Sequence, residues 1–126
     1  QDRRKKIWEF YYQNLKAWAQ RNEIQLPVVP EYCEPAYHIF HLVFPSLEMR
    51  TQMISHLKKC GIAAISHYVP LHSSEMGIRF SGDRKNPCPV SSSVSDRLLR
   101  LPLFYDLQQI DQEKVVNEIL SFGLKG

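Results

Sequence analysis

The sequence predicts an α/β two-layer sandwich, in which a small sheet carries helices on one face. Its length of 126 residues is that of a single domain. Hydrophobic residues make up 44% and charged residues 23% of the chain, which indicates a globular protein and excludes a disordered one. Helical and strand patterns follow one another as helix, strand, helix, strand, long loop, helix, short strand and helix. This order favours two layers.

The first segment is predicted to be a helix with a wide aromatic face. Its apolar side chains recur at the 3.6-residue period and form one stripe, made of Trp8, Tyr11, Tyr12, Leu15, Trp18 and Ala19. Such a stripe needs a large partner surface, so a dimerisation or packing domain is one open alternative. No capping residue precedes the helix, because Gln1 leads directly into charged helical sequence. This suggests a chain taken from a longer protein.

Two strands are predicted on either side of a second helix. Residues 37–44 (YHIFHLVF) are aromatic and β-branched, and they predict a covered, central strand after an extended stretch at 26–30. Ser46 and Gly61 bound the following helix as its N-cap and its left-handed C-terminal residue. Its apolar stripe comprises Leu47, Met53, Ile54 and Leu57. Residues 62–66 predict a buried second strand, which gives either a βαβ-like unit or an antiparallel split version of it.

The rest of the chain is predicted to hold a long loop, a third helix, a short strand and a last helix. Residues 75–88 contain glycine and proline breakers and predict an irregular loop. Pro89 suits the first position of the third helix. Its core-facing residues are predicted to be Val90, Val94 and Leu98. Residues 101–103 predict an edge strand, where proline is tolerated. The last helix, from about residue 110 to near residue 123, is predicted to bury Val115, Val116, Ile119 and Leu120.

Charge and cysteine content exclude several classes of protein. The chain has 16 Lys and Arg against 13 Asp and Glu, a net charge of +3, which is too small to indicate a nucleic-acid or membrane partner. No apolar run approaches the roughly 18 residues of a membrane helix, and the charged N-terminus is unlike a signal peptide. Cys33, Cys60 and Cys88 are typical of reduced thiols. The sequence therefore predicts a cytoplasmic domain.

Neither a metal site nor a nucleophilic site is predicted. His38 and His41 point to opposite faces of the predicted strand, and no cysteine lies near His67 and His72 in the sequence. A Cys–His nucleophile pair at Cys60 or Cys88 lacks a pattern of oxyanion donors. There is no GxGxxG and no Walker sequence, so nothing indicates a dinucleotide site or a P-loop.

The segment 67–74 (HYVPLHSS) carries the most informative functional pattern. Two histidines, a tyrosine and two serines follow a predicted strand, at the end where α/β proteins bind ligands. Their hydrogen-bonding groups suit an anionic or sugar ligand. The alternative is a loop whose polar side chains cap neighbouring backbone groups, and spacing alone leaves both open. A stand-alone α/β module that captures a phosphorylated metabolite is one functional hypothesis.

Three ordered motifs, HYVPLHSSEMG, RLLRLPLFYDL and VVNEILSF, carry a resemblance to a known family. The chain resembles the C-terminal part of sugar-nucleotide aminotransferases, which are pyridoxal-phosphate enzymes of fold type I (the DegT/DnrJ group). The stretches VVPEYCEPAYHIFHLVFP and LKKCGIAAISHY resemble the same group. The resemblance covers nearly the whole chain. It is strongest to the branch of dTDP-4-amino-4,6-dideoxygalactose transaminases, which act on dTDP-4-keto-6-deoxyglucose.

The resemblance implies that residues 1–126 are the small C-terminal domain of a homodimeric enzyme of surface-polysaccharide biosynthesis. The full-length enzyme would use pyridoxal phosphate, a nucleotide-sugar substrate and an amino-acid donor. The Schiff-base lysine of the family lies in a large N-terminal domain, which is absent here. No lysine of this chain has the serine-rich strand–turn setting of that residue. The resemblance therefore implies that this chain alone binds no cofactor and is inactive.

The resemblance also implies which residues contact the substrate. His67 and Tyr68 would lie at the mouth of the cofactor pocket, and the loop beyond His72 would cover the nucleotide sugar. His38, at the start of the first predicted strand, is a further candidate, although such a histidine is more often packed in a core. The sequence departs from the family after His72, where Ser74 and Glu75 replace the usual proline or aromatic residue.

Overall fold

A computed structural model describes residues 1–81 and 88–123 of the protein. The described helices and strands are α1 (Asp2–Arg21), β1 (Phe40–Val43), α2 (Leu47–Lys59), α3 (Glu75–Ser81), α4 (Pro89–Arg97), β2 (Leu98–Leu101) and α5 (Gln109–Ser121). A short 3₁₀ turn, Leu71–Ser73, precedes α3. Helices α1, α2 and α5 pack together over the small sheet. The predicted α/β character is confirmed.

The sheet has a split strand–helix–strand topology. Strands β1 and β2 pair antiparallel, with His41 opposite Arg100. Two isolated antiparallel bridges widen the sheet, one between Gln25 and Val43 and one between Ile65 and Arg100. Because β1 and the segment around Ile65 both run antiparallel to β2, they are parallel to each other and lie on either side of it. The structure thus selects the split version of the two topologies that the sequence allowed.

The core lies between the sheet and the helices. The predicted aromatic helix α1 is confirmed, and it buries Ile7, Tyr11, Leu15, Trp18 and Ala19. Alternate residues of β1 face this layer, where Phe40 and Leu42 are fully buried. The Tyr11 hydroxyl donates a hydrogen bond to the Pro102 carbonyl at 2.9 Å, and burial raises the pKa of Tyr11. A neutral, bonded phenol is a polar group that an apolar core tolerates.

Helix α2 begins and ends where the sequence predicts. The Ser46 Oγ accepts a hydrogen bond from the Met49 amide at 3.2 Å, and Gly61 has a φ of 75° just beyond the helix. The predicted stripe is partly wrong, because Leu47 at its N-terminus is 49% exposed while Met53 and Leu57 are fully buried. Leu47 lies in the first turn, beyond the edge of the layer that α2 covers.

The predicted strands are too long. Tyr37 has a φ of 47°, in the left-handed region, and this interrupts the extended backbone before β1. The segment 62–66 makes a single bridge, and Ile65 is 51% exposed, so the prediction of a fully buried strand there is wrong. The two inward residues of that segment, Ile62 and Ala64, are buried.

The predicted edge strand at 101–103 is also wrong. Strand β2 ends at Leu101, because Pro102 has no N–H to continue the ladder. It lies between β1 and the Ile65 segment rather than at the edge of the sheet. Leu98, predicted to be a core-facing residue of the third helix, is the first residue of β2.

Part of the predicted long loop is the helix α3. The Ser74 Oγ accepts a hydrogen bond from the Gly77 amide at 3.0 Å and so caps its first turn. Gly77 lies inside α3 and so does not break the helix. A glycine is needed at this position because a Cβ would overlap the Leu71 carbonyl oxygen. Residues 82–87 of the predicted loop lie outside the described residues.

Helices α4 and α5 form, but two predicted inward residues are exposed. Pro89 is the first residue of α4 as expected, yet Val90 is 74% exposed and α4 has no buried residue. Helix α5 buries Gln112, Val115, Val116 and Ile119. Leu120 is 42% exposed, contrary to the prediction. The weak burial of α4 leaves its surface available to line a site.

Candidate functional site

A cleft of about 460 Å³ lies between α4 and the segment that follows residue 66. We call it the His67 cleft. The predicted site residues His67, Tyr68 and His72 line one side, and Ser95 of α4 lines the other. His38 is not among the lining residues; it is exposed and precedes β1. The fold thus brings together three of the four predicted site residues.

Helix α4 holds the cleft segment in place through two hydrogen bonds. The His72 Nε2 and the Ser92 Oγ are 3.0 Å apart, and the tautomer of the ring decides which group donates. The Ser95 hydroxyl donates to the Tyr68 carbonyl at 3.4 Å. His72 therefore fits the alternative of a loop whose side chains satisfy neighbouring groups. His67 and Tyr68 instead have exposed side chains, with Tyr68 78% exposed.

The cleft adjoins the sheet face that points away from the core. We call this the open face and define it by His41, Ile65 and Arg100, which are cross-strand partners. Leu98, two residues before Arg100, shares this face and also lines the His67 cleft. The cleft and the open face therefore form one continuous surface.

Arg100 is the strongest electrostatic feature of the open face. Its guanidinium carbon lies 5.8 Å from the centre of the Tyr68 ring, in cation–π range. Its Nε is buried and has no hydrogen-bond partner among the described residues. Leaving such a donor unpaired costs about 1–3 kcal/mol or more, so Arg100 is kept on this face at a cost in stability.

Histidines flank Arg100. His41 faces it across the sheet. Burial and, secondarily, electrostatic repulsion from His67 lower the pKa of His41 below its ordinary value of 6.5. The rings of His67 and Tyr68 meet edge to face, with centroids 5.0 Å apart. The site thus combines a permanent cation, an imidazole held neutral near pH 7 and an exposed imidazole.

Sequence reasoning missed Arg100 and His41. Arg100 lies between Leu99 and Leu101, which are buried, so two-residue alternation places its side chain on the other face. This signal was present in the motif RLLRLPL. Its partner His41 is weighed in the sequence only as a metal ligand together with His38, and the pairing with Arg100 is what places it in this site.

The described residues do not fit the covalent site of pyridoxal phosphate. A Schiff-base lysine needs a desolvated, pre-aimed amine. The described lysines all occupy exposed helical positions: Lys5, Lys6, Lys16, Lys58, Lys59 and Lys114. Lys85 and Lys125 lie outside the described residues. We therefore assign no step on this cofactor to the chain.

Comparison with known proteins decides the family. Residues 1–120 match the model of the DegT/DnrJ/EryC1/StrS aminotransferase family. The chain belongs to this family. The resemblance seen in the sequence motifs is thereby confirmed at the level of the family, and the enzymes that define the family are aminotransferases.

Curated relatives of the family match parts of the chain. The chain is 30% identical to the pleiotropic regulatory protein of Geobacillus stearothermophilus over 98 residues, which are 77% of the chain and 26% of the relative. It is 31% identical to the UDP-N-acetyl-3-dehydro-alpha-D-glucosamine 3-aminotransferase of Acidithiobacillus ferrooxidans over 88 residues, which are 69% of the chain and 22% of that enzyme.

Solved structures of the family share the fold. DesV of S. venezuelae, solved in complex with a ketimine intermediate, superposes with a TM-score of 0.80 at 27% identity, covering 94% of this chain and 30% of DesV. The PLP form of the putative sugar aminotransferase Spr1654 of Streptococcus pneumoniae gives a TM-score of 0.77 at 25% identity, covering 92% of this chain and 29% of that one. The chain therefore spans less than a third of these relatives.

Within residues 1–81 and 88–123, no helix is both long and apolar enough to cross a bilayer.

Proposed function

We propose that this chain is the small C-terminal domain of a pyridoxal-phosphate-dependent sugar aminotransferase. A preceding large domain would supply the cofactor and its Schiff-base lysine, and the present chain would supply one wall of the substrate site. Two observations support this division. The chain matches the family over residues 1–120 yet spans only 30% of DesV, and every described lysine is exposed.

The substrate we propose is dTDP-4-keto-6-deoxyglucose, aminated at the expense of an amino acid for the synthesis of a surface polysaccharide. This rests on the resemblance of the sequence motifs to the dTDP-4-amino-4,6-dideoxygalactose transaminase branch. The relative from Acidithiobacillus ferrooxidans is named for a related reaction on a UDP-linked keto sugar. Both substrates present a diphosphate and a sugar, so one arrangement of cationic and neutral donors serves either.

The position of the Arg100 guanidinium is the single observation that carries the role of the site. This half-buried cation lies on the open face, over the ring of Tyr68 in the His67 cleft. Charge-assisted hydrogen bonds are about twice as strong as neutral ones. In the proposed enzyme Arg100 and His67 bind the anionic part of the nucleotide sugar, and Tyr68 orients the guanidinium by stacking. His72 holds the segment against α4. A contact between His38 and the substrate remains a prediction from the sequence.

Exposed apolar side chains on the cleft segment, α3 and α4 fit a larger assembly. Leu71 is 85%, Phe80 80% and Val90 74% exposed. Exposed apolar side chains that form a contiguous patch mark interaction surfaces. In the proposal they are covered by the large domain and by the second subunit of a homodimer, which also excludes water from the substrate.

The test is His67→Ala in the complete enzyme. Loss of one charge-assisted bond is expected to lower kcat/KM for the nucleotide sugar by about tenfold or more. Lys58→Ala, an exposed substitution on α2, is the matched control and should leave kcat/KM unchanged. Unchanged kinetics in His67→Ala would contradict the role given to the cleft.

A second measurement separates this proposal from a stand-alone binding module. The 126-residue chain is heated with and without a dTDP-sugar, and its Tm is recorded. A ligand that binds only the folded state raises the Tm. We expect little change, because the large domain completes the site. A large rise in Tm for the chain alone would favour the module, and amine transfer by the chain alone would refute the proposed division.

A further inference from the structure

A second cluster of chemically active side chains lies between α2 and α5, among residues that do not line the His67 cleft. It consists of His56, Cys60 and Glu118. His56 and Cys60 are four residues apart and lie on one face of α2 and its C-terminal cap. Glu118 faces them from α5. The cluster therefore joins two helices that are distant in the chain, since Cys60 and Glu118 are 58 residues apart.

The three ligand-type atoms lie close to the spacing of ligands around a tetrahedral ion. The His56 Nε2 is 3.1 Å from the Glu118 Oε2, the Cys60 Sγ is 3.2 Å from the same oxygen, and the Cys60 Sγ is 3.9 Å from the His56 Nε2. Zinc bonds of about 2.3 Å to sulfur and about 2.1 Å to nitrogen and oxygen place ligand atoms about 3.4–3.6 Å apart. Each observed separation lies within about 0.4 Å of that spacing.

The surroundings fix the ligands while leaving one side open. The His56 ring stacks on Phe122 at 4.5 Å between centroids and 22° between planes, which limits rotation of the imidazole. The side chains of His56 and Glu118 are 22% and 32% exposed, so water has access for a fourth position. Lys114 is the nearby cation that acts on Cys60, and it favours the thiolate.

The protonation of Cys60 links the cluster to pH. The hydrogen bond from its thiol to Glu118, with smaller contributions from desolvation and from the charge of Glu118, raises the pKa of Cys60. The thiol therefore keeps its proton at neutral pH when no cation is bound. A divalent cation would replace that proton between sulfur and carboxylate.

We propose that His56, Cys60 and Glu118 form a zinc site that links α2 to α5. Imidazole, thiolate and carboxylate together suit a borderline-soft ion such as Zn²⁺ rather than Mg²⁺ or Ca²⁺. On binding, the S–H bond of Cys60 breaks, the zinc–sulfur bond forms and the proton passes to solvent, with no change of oxidation state. Three protein ligands and one water complete the shell. This site is independent of the proposed aminotransferase function.

The experiment uses Co²⁺ as a spectroscopic probe of the reduced 126-residue chain. We expect one Co²⁺ per chain, a sulfur-to-cobalt charge-transfer absorption, and its loss when Zn²⁺ displaces the probe. Cys60→Ser should abolish the charge-transfer absorption, and Glu118→Gln should weaken binding by about tenfold or more, since even outer-shell partners contribute that much. Cys33→Ser, at an exposed cysteine, is the matched control and should behave as the wild type.

Two further readouts keep the proposal falsifiable. Zn²⁺ should raise the Tm of the wild type and of Cys33→Ser but not of Cys60→Ser, and affinity should fall as pH is lowered because a proton competes for the sulfur. Circular dichroism verifies that the variants are folded. If Cys60→Ser does not fold, Glu118→Gln replaces it as the variant in which a ligand is removed. An absence of one-to-one binding, or an unchanged charge-transfer absorption in folded Cys60→Ser, would show a hydrogen-bonded cluster only and overturn the proposal.

Discussion

The two faces of the sheet differ in what their side chains do. On the covered face Phe40, Leu42 and Leu99 are fully buried against the helices. On the open face the cross-strand partners His41, Ile65 and Arg100 retain exposure, and Arg100 carries a permanent charge. Because neighbouring residues of one strand point to opposite faces, four-residue strands supply both the core and the candidate site. We therefore expect adjacent substitutions to alter stability and the proposed binding separately.

Truncating the covered face should have the largest effect. Phe40→Ala removes a fully buried ring and is expected to lower the free energy of unfolding by about 3–5 kcal/mol. Urea denaturation followed by circular dichroism measures it. The matched control is Ile65→Ala on the open face, where 51% exposure predicts a much smaller loss. Equal losses of unfolding free energy in the two variants would mean that both faces contribute equally to stability, which would contradict the distinction between them.

Removing the charge of the open face should affect binding rather than stability. Arg100→Met in the complete enzyme takes away a cation whose hydrogen bonds are worth about 1.5–3 kcal/mol, so kcat/KM for the nucleotide sugar should fall roughly tenfold to 150-fold. The free energy of unfolding should stay level or rise, because the buried unpaired Nε is gone. If Arg100→Met lowered the free energy of unfolding and left kcat/KM unchanged, the open face would have a structural role and not the proposed binding role.

The smallest expected effect is the pH dependence set by His41. Its pKa is lowered in the folded state, so the unfolded chain binds more protons, and the stability contribution of the neutral ring is complete only above the ordinary value of 6.5. It is lost as pH falls below that value. His41→Gln should flatten this decline, measured as the urea midpoint against pH, whereas the exposed His38→Gln should keep it. A decline of wild-type steepness in His41→Gln would contradict the pKa shift.

Local signals were sufficient for four of the five described helices, and long-range pairing decided the arrangement of the sheet. Ser46 and Gly61 define α2 through contacts within a few residues, and both roles are confirmed. The position of β2 depends on pairing with residues about 60 places earlier in the chain, such as His41 with Arg100, and no local pattern specifies that. Helix α3 is the exception: its Gly77 is predicted to be a breaker, whereas the structure places it inside the helix, where the Leu71 carbonyl leaves no room for a Cβ.

The site was predictable to a similar degree. The residue types of segment 67–74 predict a site, and the structure places residues 67–72 of it beside α4. Arg100 could have been found by continuing the two-residue alternation through β2. The pair His56 and Cys60 is visible in the sequence at helical spacing, but Glu118 reaches them only through the packing of α2 on α5.

The split topology has a consequence for synthesis of the protein on the ribosome. Strand β2 separates β1 from the Ile65 segment. In a nascent chain that has emerged only as far as α4, β1 and the Ile65 segment therefore lack the strand that pairs with both of them. Unpaired edges are templates for pairing with other chains. Emergence of residues 98–101 is therefore the event that closes the sheet, and products truncated before it are expected to aggregate.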